Sequence, residues 1–206
     1  DIRESWEDHT KIVVADLLES DGSPFELCGR GLLKRTVVEW QSKGFTPKIG
    51  LELEAFAFQY NADGELVPYD TPGAYVYSTG ILSDPAGFND AIWQKGEELG
   101  FEFACITSEF DSPQFEYTLK YDDAVKAVDD SFLFRLMARE IALQHGIVLT
   151  FLPKPIPEKG GNGLHVNFSL MDNNGNNAIG ESGGIDSLSD LARGCVAGLM
   201  HHHTGM

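Results

Sequence analysis

The segment Ile49–Tyr60 reads IGLELEAFAFQY, and its residues alternate as those of a β-strand do. Successive side chains of a strand point to opposite faces, so Glu52 and Glu54 share one face with Phe56 and Phe58. Two carboxylates about 7 Å apart along a strand repel one another unless a cation or water screens them. The pattern therefore indicates either a solvated strand face or a divalent-metal site, and this segment alone does not choose between them.

Turn and cap residues divide the chain on both sides of this strand into further elements. Predicted strands cover residues 11–18, 49–60, 101–107, 114–121, 147–152 and 164–171. Predicted helices cover residues 31–43, 86–99 and 122–145, and a last helix begins near Asp186 and runs to the chain end. In the third helix, one predicted apolar stripe consists of Val125, Val128, Phe132, Leu136 and Leu143. Strands outnumber helices and hairpin-like connections dominate, which predicts an α+β fold with an antiparallel sheet rather than a doubly wound fold.

A second pair of carboxylates flanks a tight turn at residues 111–113. Glu109 ends one predicted strand and Glu116 lies early in the next, so a hairpin can bring them face to face. Gln114, Glu116 and Thr118 form the polar face of their strand, and apolar residues alternate with them. Taken alone, this segment is more typical of an exposed, charged strand than of a site.

A histidine follows a short glycine-rich stretch. Gly160, Gly161 and Gly163 precede the strand, on which His165 shares a face with Asn167 and Ser169. Glycines allow the backbone to approach a ligand closely, although an isolated histidine is more often a structural residue. The phosphate-loop pattern GxxxxGK[ST], a dinucleotide-binding GxGxxG, the GxSxG elbow and HExxH are all missing from the sequence.

The chain is strongly acidic, with 32 Asp and Glu against 15 Lys and Arg in 206 residues, and a net charge of −17. Phosphate backbones attract basic surfaces, so neither nucleic acid nor a membrane is expected as a partner. The spacing of Cys28, Cys105 and Cys195 fits no zinc motif, which predicts buried free thiols in a reducing compartment. No apolar run reaches membrane-spanning length and the N-terminus is not a signal peptide, so a cytoplasmic location is predicted.

The histidines at positions 201–203 lie in an apparent helix that has no terminal cap. A purification tag would usually be longer, so we interpret them as native. We therefore expect this chain to be an internal fragment of a longer protein.

Taken in order, the motifs resemble those of the glutamine synthetase family. Residues 50–56 resemble its G-x-E-x-E-F-x strand, and residues 108–117 its H-E-x-x-P-G-Q-x-E segment. Residues 150–155 resemble T-F-M-P-K-P, residues 163–170 resemble G-S-G-M-H-x-H-x-S-L, and the segment from Ala197 resembles A-G-L-L-x-H. Five motifs in this order with matching gaps are a strong signal, and they cover nearly the whole chain.

The resemblance implies a fold and a division into domains. It implies an antiparallel curved β-sheet of the catalytic domain, with helices packed on its outer face. Residues 1–30 would be the end of an N-terminal β-grasp domain and its linker. Residues 31–206 would be the front part of the catalytic domain, whose C-terminal part is absent.

The resemblance also implies roles for individual residues. Glu54, Glu109 and Glu116 would hold one Mg²⁺ or Mn²⁺, and Glu52 and His165 would help to hold a second. Substrate would lie against Gly161, Glu54 and Glu109, and ATP near Asn167 and Ser169. No residue is assigned as catalytic.

The implied reaction is ATP-dependent formation of an amide between the γ-carboxylate of glutamate and ammonia or a small amine, through an acyl phosphate. The family forms homo-oligomeric rings whose sites lie between subunits, so this chain alone is expected to be inactive. The alternatives are a non-catalytic structural or regulatory ring protein of the same family, and an unrelated metal-binding β-rich domain.

Five positions depart from the family pattern. Asn167, Thr107 and Ser108 stand where histidines are common, Pro113 stands where glycine is common, and Gly160 stands where asparagine is common. These departures bear on the substrate and on nucleotide binding, and they fit a γ-glutamyl-amine ligase as well as a glutamine synthetase.

Overall fold

The computed structural model describes residues 2–180 and 187–205. The strands are β1 (Ile2–Glu4), β2 (Lys11–Val13), β3 (Phe45–Tyr60), β4 (Leu66–Pro68), β5 (Phe103–Ser108), β6 (Gln114–Leu119), β7 (Asp122–Asp123), β8 (Ile147–Thr150) and β9 (Leu164–Asp172). The helices are α1 (Gly29–Ser42), α2 (Phe88–Glu98), α3 (Ala124–Gln144) and α4 (Asp190–His202), followed by a 3-10 turn (His203–Gly205). The predicted α+β class is confirmed.

The long strand β3 organises a curled antiparallel sheet of seven strands. Strand β6 pairs with β3 and β5 pairs with β6, while β4, β7, β8 and β9 each also pair with β3. The Asn61 amide donates to the Glu65 carbonyl at 2.9 Å and closes the turn that joins β3 to β4.

The chain divides into two compact units. The first consists of Asp1–Ala15, Gly50–Tyr121 and Lys126–Asn167. Its core is aromatic: Phe88 meets Phe115 edge-on at 5.4 Å, and Tyr117 meets Phe134 at 5.3 Å between ring centroids. These contacts pack α2 and α3 on the apolar face of β6, which leaves the opposite face, with its glutamates, away from the core.

The second unit consists of Asp16–Ile49, Asp122–Val125 and Phe168–Met206. Trp40 of α1 lies 6.3 Å from Phe45 and 6.5 Å from Phe168, between ring centroids. Cys28 and Ser189 cap α1 and α4 by accepting hydrogen bonds from backbone amides of the first turn. The predicted start of the last helix at Asp186 lies outside the described residues.

The predicted stripe of α3 is wrong. Phe132 and Leu143 are 59% and 61% exposed, whereas Phe134 and Met137 are fully buried. Helix α3 carries apolar residues on more than one side, so periodicity could not choose the packing side. The aromatic core of the first unit selects the side that carries Phe134.

Two smaller predictions also need correction. Strand β2 ends at Val13 rather than at residue 18. All three cysteines are free, as predicted, but only Cys28 is buried, and Cys105 and Cys195 are partly exposed. The burial of the thiols was therefore overstated, because a short β-strand or a surface helix can leave a cysteine half open.

Candidate metal centre

The register between β3 and β6 aligns the predicted glutamates. Glu54 lies directly opposite Glu116, and Glu116 lies opposite Thr107 of β5 on its other side. Directly opposed residues on one face have Cβ atoms about 4.5–5.5 Å apart. Glu109 follows the end of β5, and its amide donates to the Gln114 carbonyl at 2.8 Å, which closes the hairpin. Strand pairing thus brings three carboxylates together.

The five predicted ligands form two overlapping groups. Glu54, Glu109 and Glu116 make one, and Glu52, Glu116 and His165 make the other, and within each group the ligand atoms lie within 4.8 Å of one another. The sequence places Glu116 with the first group alone, whereas the structure places it in both. Its carboxylate therefore lies between two candidate cation positions.

The Glu52 carboxylate is held by two neighbours on β9. His165 Nδ1 lies 2.9 Å from Glu52 Oε2, and Asn167 Nδ2 donates to Glu52 Oε1 at 2.8 Å. With its proton on Nδ1, the neutral imidazole keeps the Nε2 lone pair, and Nε2 lies 4.0 Å from Glu54 Oε1. Asn167, at a position where the family commonly has histidine, acts here as a hydrogen-bond donor to a candidate ligand.

The Glu54 carboxylate is held by a different pair of donors. Gln114 Nε2 and the Gly163 amide each donate to Glu54 Oε2 at 2.9 Å. The Glu54 amide in turn donates to the Gly163 carbonyl at 3.1 Å. Because both side-chain bonds use Oε2, the other oxygen, Oε1, remains for a ligand.

The clustered negative charge changes the titration of Glu116. Burial first, and then the charges of Glu109, Glu52 and Glu54, raise the pKa of Glu116 above its usual value. A divalent cation bound among these four carboxylates would offset their mutual repulsion.

The donor set fits a hard divalent cation. Carboxylate oxygens with one imidazole suit Mg²⁺ or Mn²⁺ better than a soft metal. A Cβ atom on Gly163 would lie 2.7 Å from Glu54 Oε1 and 3.0 Å from His165 Nε2, so only glycine leaves the space between these two atoms open. Both the chemistry and the shape of this cradle thus match the group that the sequence predicts.

The glycine-rich stretch is anchored by an asparagine. Asn162 Nδ2 donates to the carbonyls of Thr150 at 3.1 Å and Leu152 at 2.8 Å, at the end of β8. The Gly161 carbonyl accepts a bond from Gln114 Nε2 at 2.9 Å. A Cβ on Gly161 would lie 2.8 Å from the Pro153 carbonyl oxygen, so its backbone packs too closely for a side chain.

Two of the remaining predicted positions are placed as follows. The Ser169 hydroxyl donates to Asn177 Oδ1 at 3.2 Å. Ser108 is buried and its hydroxyl lies 2.8 Å from that of Ser78, within a small cluster of hydroxyl groups. A histidine at position 108 would not fit this buried cluster.

Sequence reasoning missed the roles of Gln114, Asn162 and Gly163. Gln114 was placed on the polar face next to Glu116 but given no part in the site. Gly163 was counted with two other glycines, although it alone opens the cradle. The alternation Gln114–Glu116 was the available signal, since it places the amide on the face of the carboxylates.

Similarity to known proteins identifies the family of this chain. The chain matches the family described as "Glutamine synthetase, catalytic domain" over residues 26–206. The chain belongs to the glutamine synthetase family. It is 33% identical over 196 residues to the glutamine synthetase of Clostridium saccharobutylicum, an alignment that covers 94% of this chain and 44% of that protein.

Two solved structures are similar to this chain over most of its length. The GmaS/ADP complex in conformation 1 superposes with a TM-score of 0.79 at 29% identity, over 90% of this chain and 43% of its own. Plasmodium falciparum glutamine synthetase has a TM-score of 0.83 over 98% of this chain and 46% of its own, and at 22% identity it supports the fold alone. The chain spans less than half the length of these relatives. Among the described helices, none has both the length and the apolar character needed to cross a membrane.

Proposed function

We propose that the full-length protein containing this chain is an ATP-dependent ligase that joins the γ-carboxylate of glutamate to ammonia or a small amine through an acyl phosphate. The observation that carries the proposal is the convergence of Glu52, Glu54, Glu109, Glu116 and His165 into two groups that share Glu116. Membership in the glutamine synthetase family supports the reaction class. The solved GmaS relative is a complex with ADP, which supports use of a nucleotide.

The glutamates and His165 would hold Mg²⁺ or Mn²⁺, two or more ions per site. When bound, such ions neutralise the negative charge of phosphate oxygens during phosphoryl transfer. The chain's own residues supply orientation: Asn167 and His165 hold Glu52 between them. Gln114 and Gly163 hold Glu54. Preset ligands lower the cost of ordering the site when substrate arrives.

Other residues are assigned to the substrates as part of the same proposal. Gly161, together with Glu54 and Glu109, would contact glutamate, and Asn167 and Ser169 would lie on the nucleotide side. Residues 1–30 are proposed to end a preceding β-grasp domain, and the full-length protein is proposed to form a homo-oligomeric ring in the cytoplasm.

The 206-residue chain by itself is expected to be inactive. Phosphoryl transfer needs positive donors around the developing charge, and removal of one such donor typically lowers the rate about 100- to 1,000-fold. Lys154 and Lys159, which flank the glycine stretch, donate instead to the backbone carbonyls of Lys159 and Ser112. Release of ADP by this chain at a rate comparable to that of the full-length protein would contradict this expectation.

A substrate screen tests the proposal. The full-length protein is given ATP, glutamate and Mg²⁺ with ammonia, ethanolamine or a polyamine, and ADP release is measured. We expect one amine to stimulate release, and Glu54→Gln to abolish the stimulation because a ligand is lost. Glu97→Gln, on the exposed surface of α2, is the matched control and should behave as wild type. Lack of stimulation by any amine would favour the non-catalytic family member.

A further inference from the structure

The Gln114 side chain occupies a junction that the proposed function leaves unassigned. Gln114 is 4% exposed, and its Nε2 lies 2.9 Å from each of three acceptors: Glu54 Oε2, the Gly161 carbonyl and Asn162 Oδ1. An amide nitrogen carries two hydrogens, so at least one of them is shared. All three partners accept, which fixes the nitrogen, rather than the oxygen, of Gln114 toward Glu54.

The orientation of Asn162 is fixed in the same way. Its Nδ2 donates to two backbone carbonyls, those of Thr150 and Leu152, and a carbonyl cannot donate in return. Asn162 Oδ1 must therefore be the atom that faces Gln114. The carbonyls at the end of β8 thus orient the Asn162 side chain. Asn162 in turn orients the Gln114 amide, and Gln114 orients the Glu54 carboxylate.

These hydrogen bonds determine which oxygen of the Glu54 carboxylate is left for a cation. Glu54 Oε2 is saturated by Gln114 Nε2 and by the Gly163 amide, so a cation meets Glu54 through Oε1. Glu54 Oε1 is also the oxygen that faces His165 Nε2, at 4.0 Å, across the space which Gly163 leaves open. We propose that Gln114 is a positioning residue that holds Glu54 for one-oxygen coordination and ties the glycine stretch 160–163 to the same ligand.

This inference rests on the proposed metal-dependent function and adds a determinant of metal affinity. A partner that orients a metal ligand typically changes metal affinity about 10- to 100-fold when it is removed. Without Gln114, the Glu54 carboxylate keeps only the hydrogen bond from the Gly163 amide. The glycine stretch also loses the link that Gln114 makes through the Gly161 carbonyl and Asn162 Oδ1.

The experiment measures the binding of Mn²⁺ alone to the protein, and electron paramagnetic resonance detects the free ion. Near-ultraviolet circular dichroism verifies that each variant is folded. We expect Gln114→Met, which keeps the length but removes the donor, to raise the Kd of the tighter site about 10- to 100-fold. Gln114→Asn keeps the amide but draws it back by about 1.5 Å, the length of one carbon–carbon bond, and should also weaken binding. It retains a polar group in the buried site and serves if the methionine variant does not fold.

Gln94→Met is the matched control, since Gln94 is exposed on α2, and its Kd should equal that of wild type. A loss of stability alone does not change the Kd of molecules that remain folded, so the measurement separates positioning from general support. Wild-type affinity in both Gln114 variants would overturn this inference and leave the proposed function intact. Failure of the wild type itself to bind Mn²⁺ would overturn both.

Discussion

Replacement of Glu116 by glutamine is expected to change the stability of the chain in opposite directions with and without a divalent cation. In metal-free protein, Glu116 opposes Glu54 directly across two strands, and its pKa is raised by burial and by the neighbouring glutamates. Directly opposed like charges destabilise a sheet by roughly 0.2–1 kcal/mol. For a chain of this length, removal of that repulsion should raise the Tm by about 0.5–4 °C.

With metal bound the sign reverses, because Glu116 belongs to both candidate groups. An ion at a hundredfold excess over its Kd stabilises the folded state by about 2.7 kcal/mol, which corresponds to about 5–11 °C in Tm. If Glu116→Gln weakens binding about a hundredfold, the same ion concentration stabilises the variant by only about 0.4 kcal/mol. Wild type should then melt above the variant.

The assay is thermal unfolding by circular dichroism in chelator and in millimolar Mn²⁺. Glu97→Gln removes the same unit of charge from the exposed surface of α2 and should leave the metal response unchanged. An equal Mn²⁺-dependent rise in Tm for wild type and Glu116→Gln would refute the reasoning. So would a lower Tm of the variant in chelator.

The metal-free difference should also depend on pH in a defined direction. The pKa of Glu116 is raised in the folded state, so its contribution to stability is fully present below the unfolded value of 4.5 and is lost as pH rises through the folded pKa. Wild type and Glu116→Gln should therefore melt alike below pH 4.5 and diverge above it, with wild type lower. A difference that stays constant across this range would exclude Glu116 titration as the cause.

Three glycine substitutions should distinguish a steric effect on the candidate metal site from a steric effect on the core. Gly163→Ala places a Cβ 2.7 Å from Glu54 Oε1 and should weaken Mn²⁺ binding, measured by titration, while the protein still folds. Gly194→Ala, in open space on α4, should leave that affinity unchanged and stabilise the helix by about 1 kcal/mol in thermal melts. Gly96→Ala should lower the Tm despite its better helix propensity, because its Cβ would lie 2.3 Å from the Phe103 ring and overpacking costs about 1–3 kcal/mol. Unchanged Mn²⁺ affinity in Gly163→Ala, or a higher Tm in Gly96→Ala, would contradict the packing described here.

The features that depend on local periodicity could be predicted from the sequence. Alternation along residues 49–60 placed Glu52 and Glu54 on one face, and the order of strands and turns indicated the α+β class. These properties follow from a repeat of two residues, which any strand imposes on its side chains. The ordered motifs also pointed to the family without any knowledge of distances.

The way in which separate elements meet could not be predicted from the sequence and depends on how the chain packs. The opposition of Glu54 and Glu116 depends on the pairing register of β3 and β6, and the sharing of Glu116 between two groups depends on where β9 lies. The aromatic core selects the buried side of α3, because a helix with apolar residues on more than one side gives periodicity no basis for a choice. The role of Gln114 depends on three acceptors that are distant in sequence, and such convergence is a property of the packed chain that no single segment encodes.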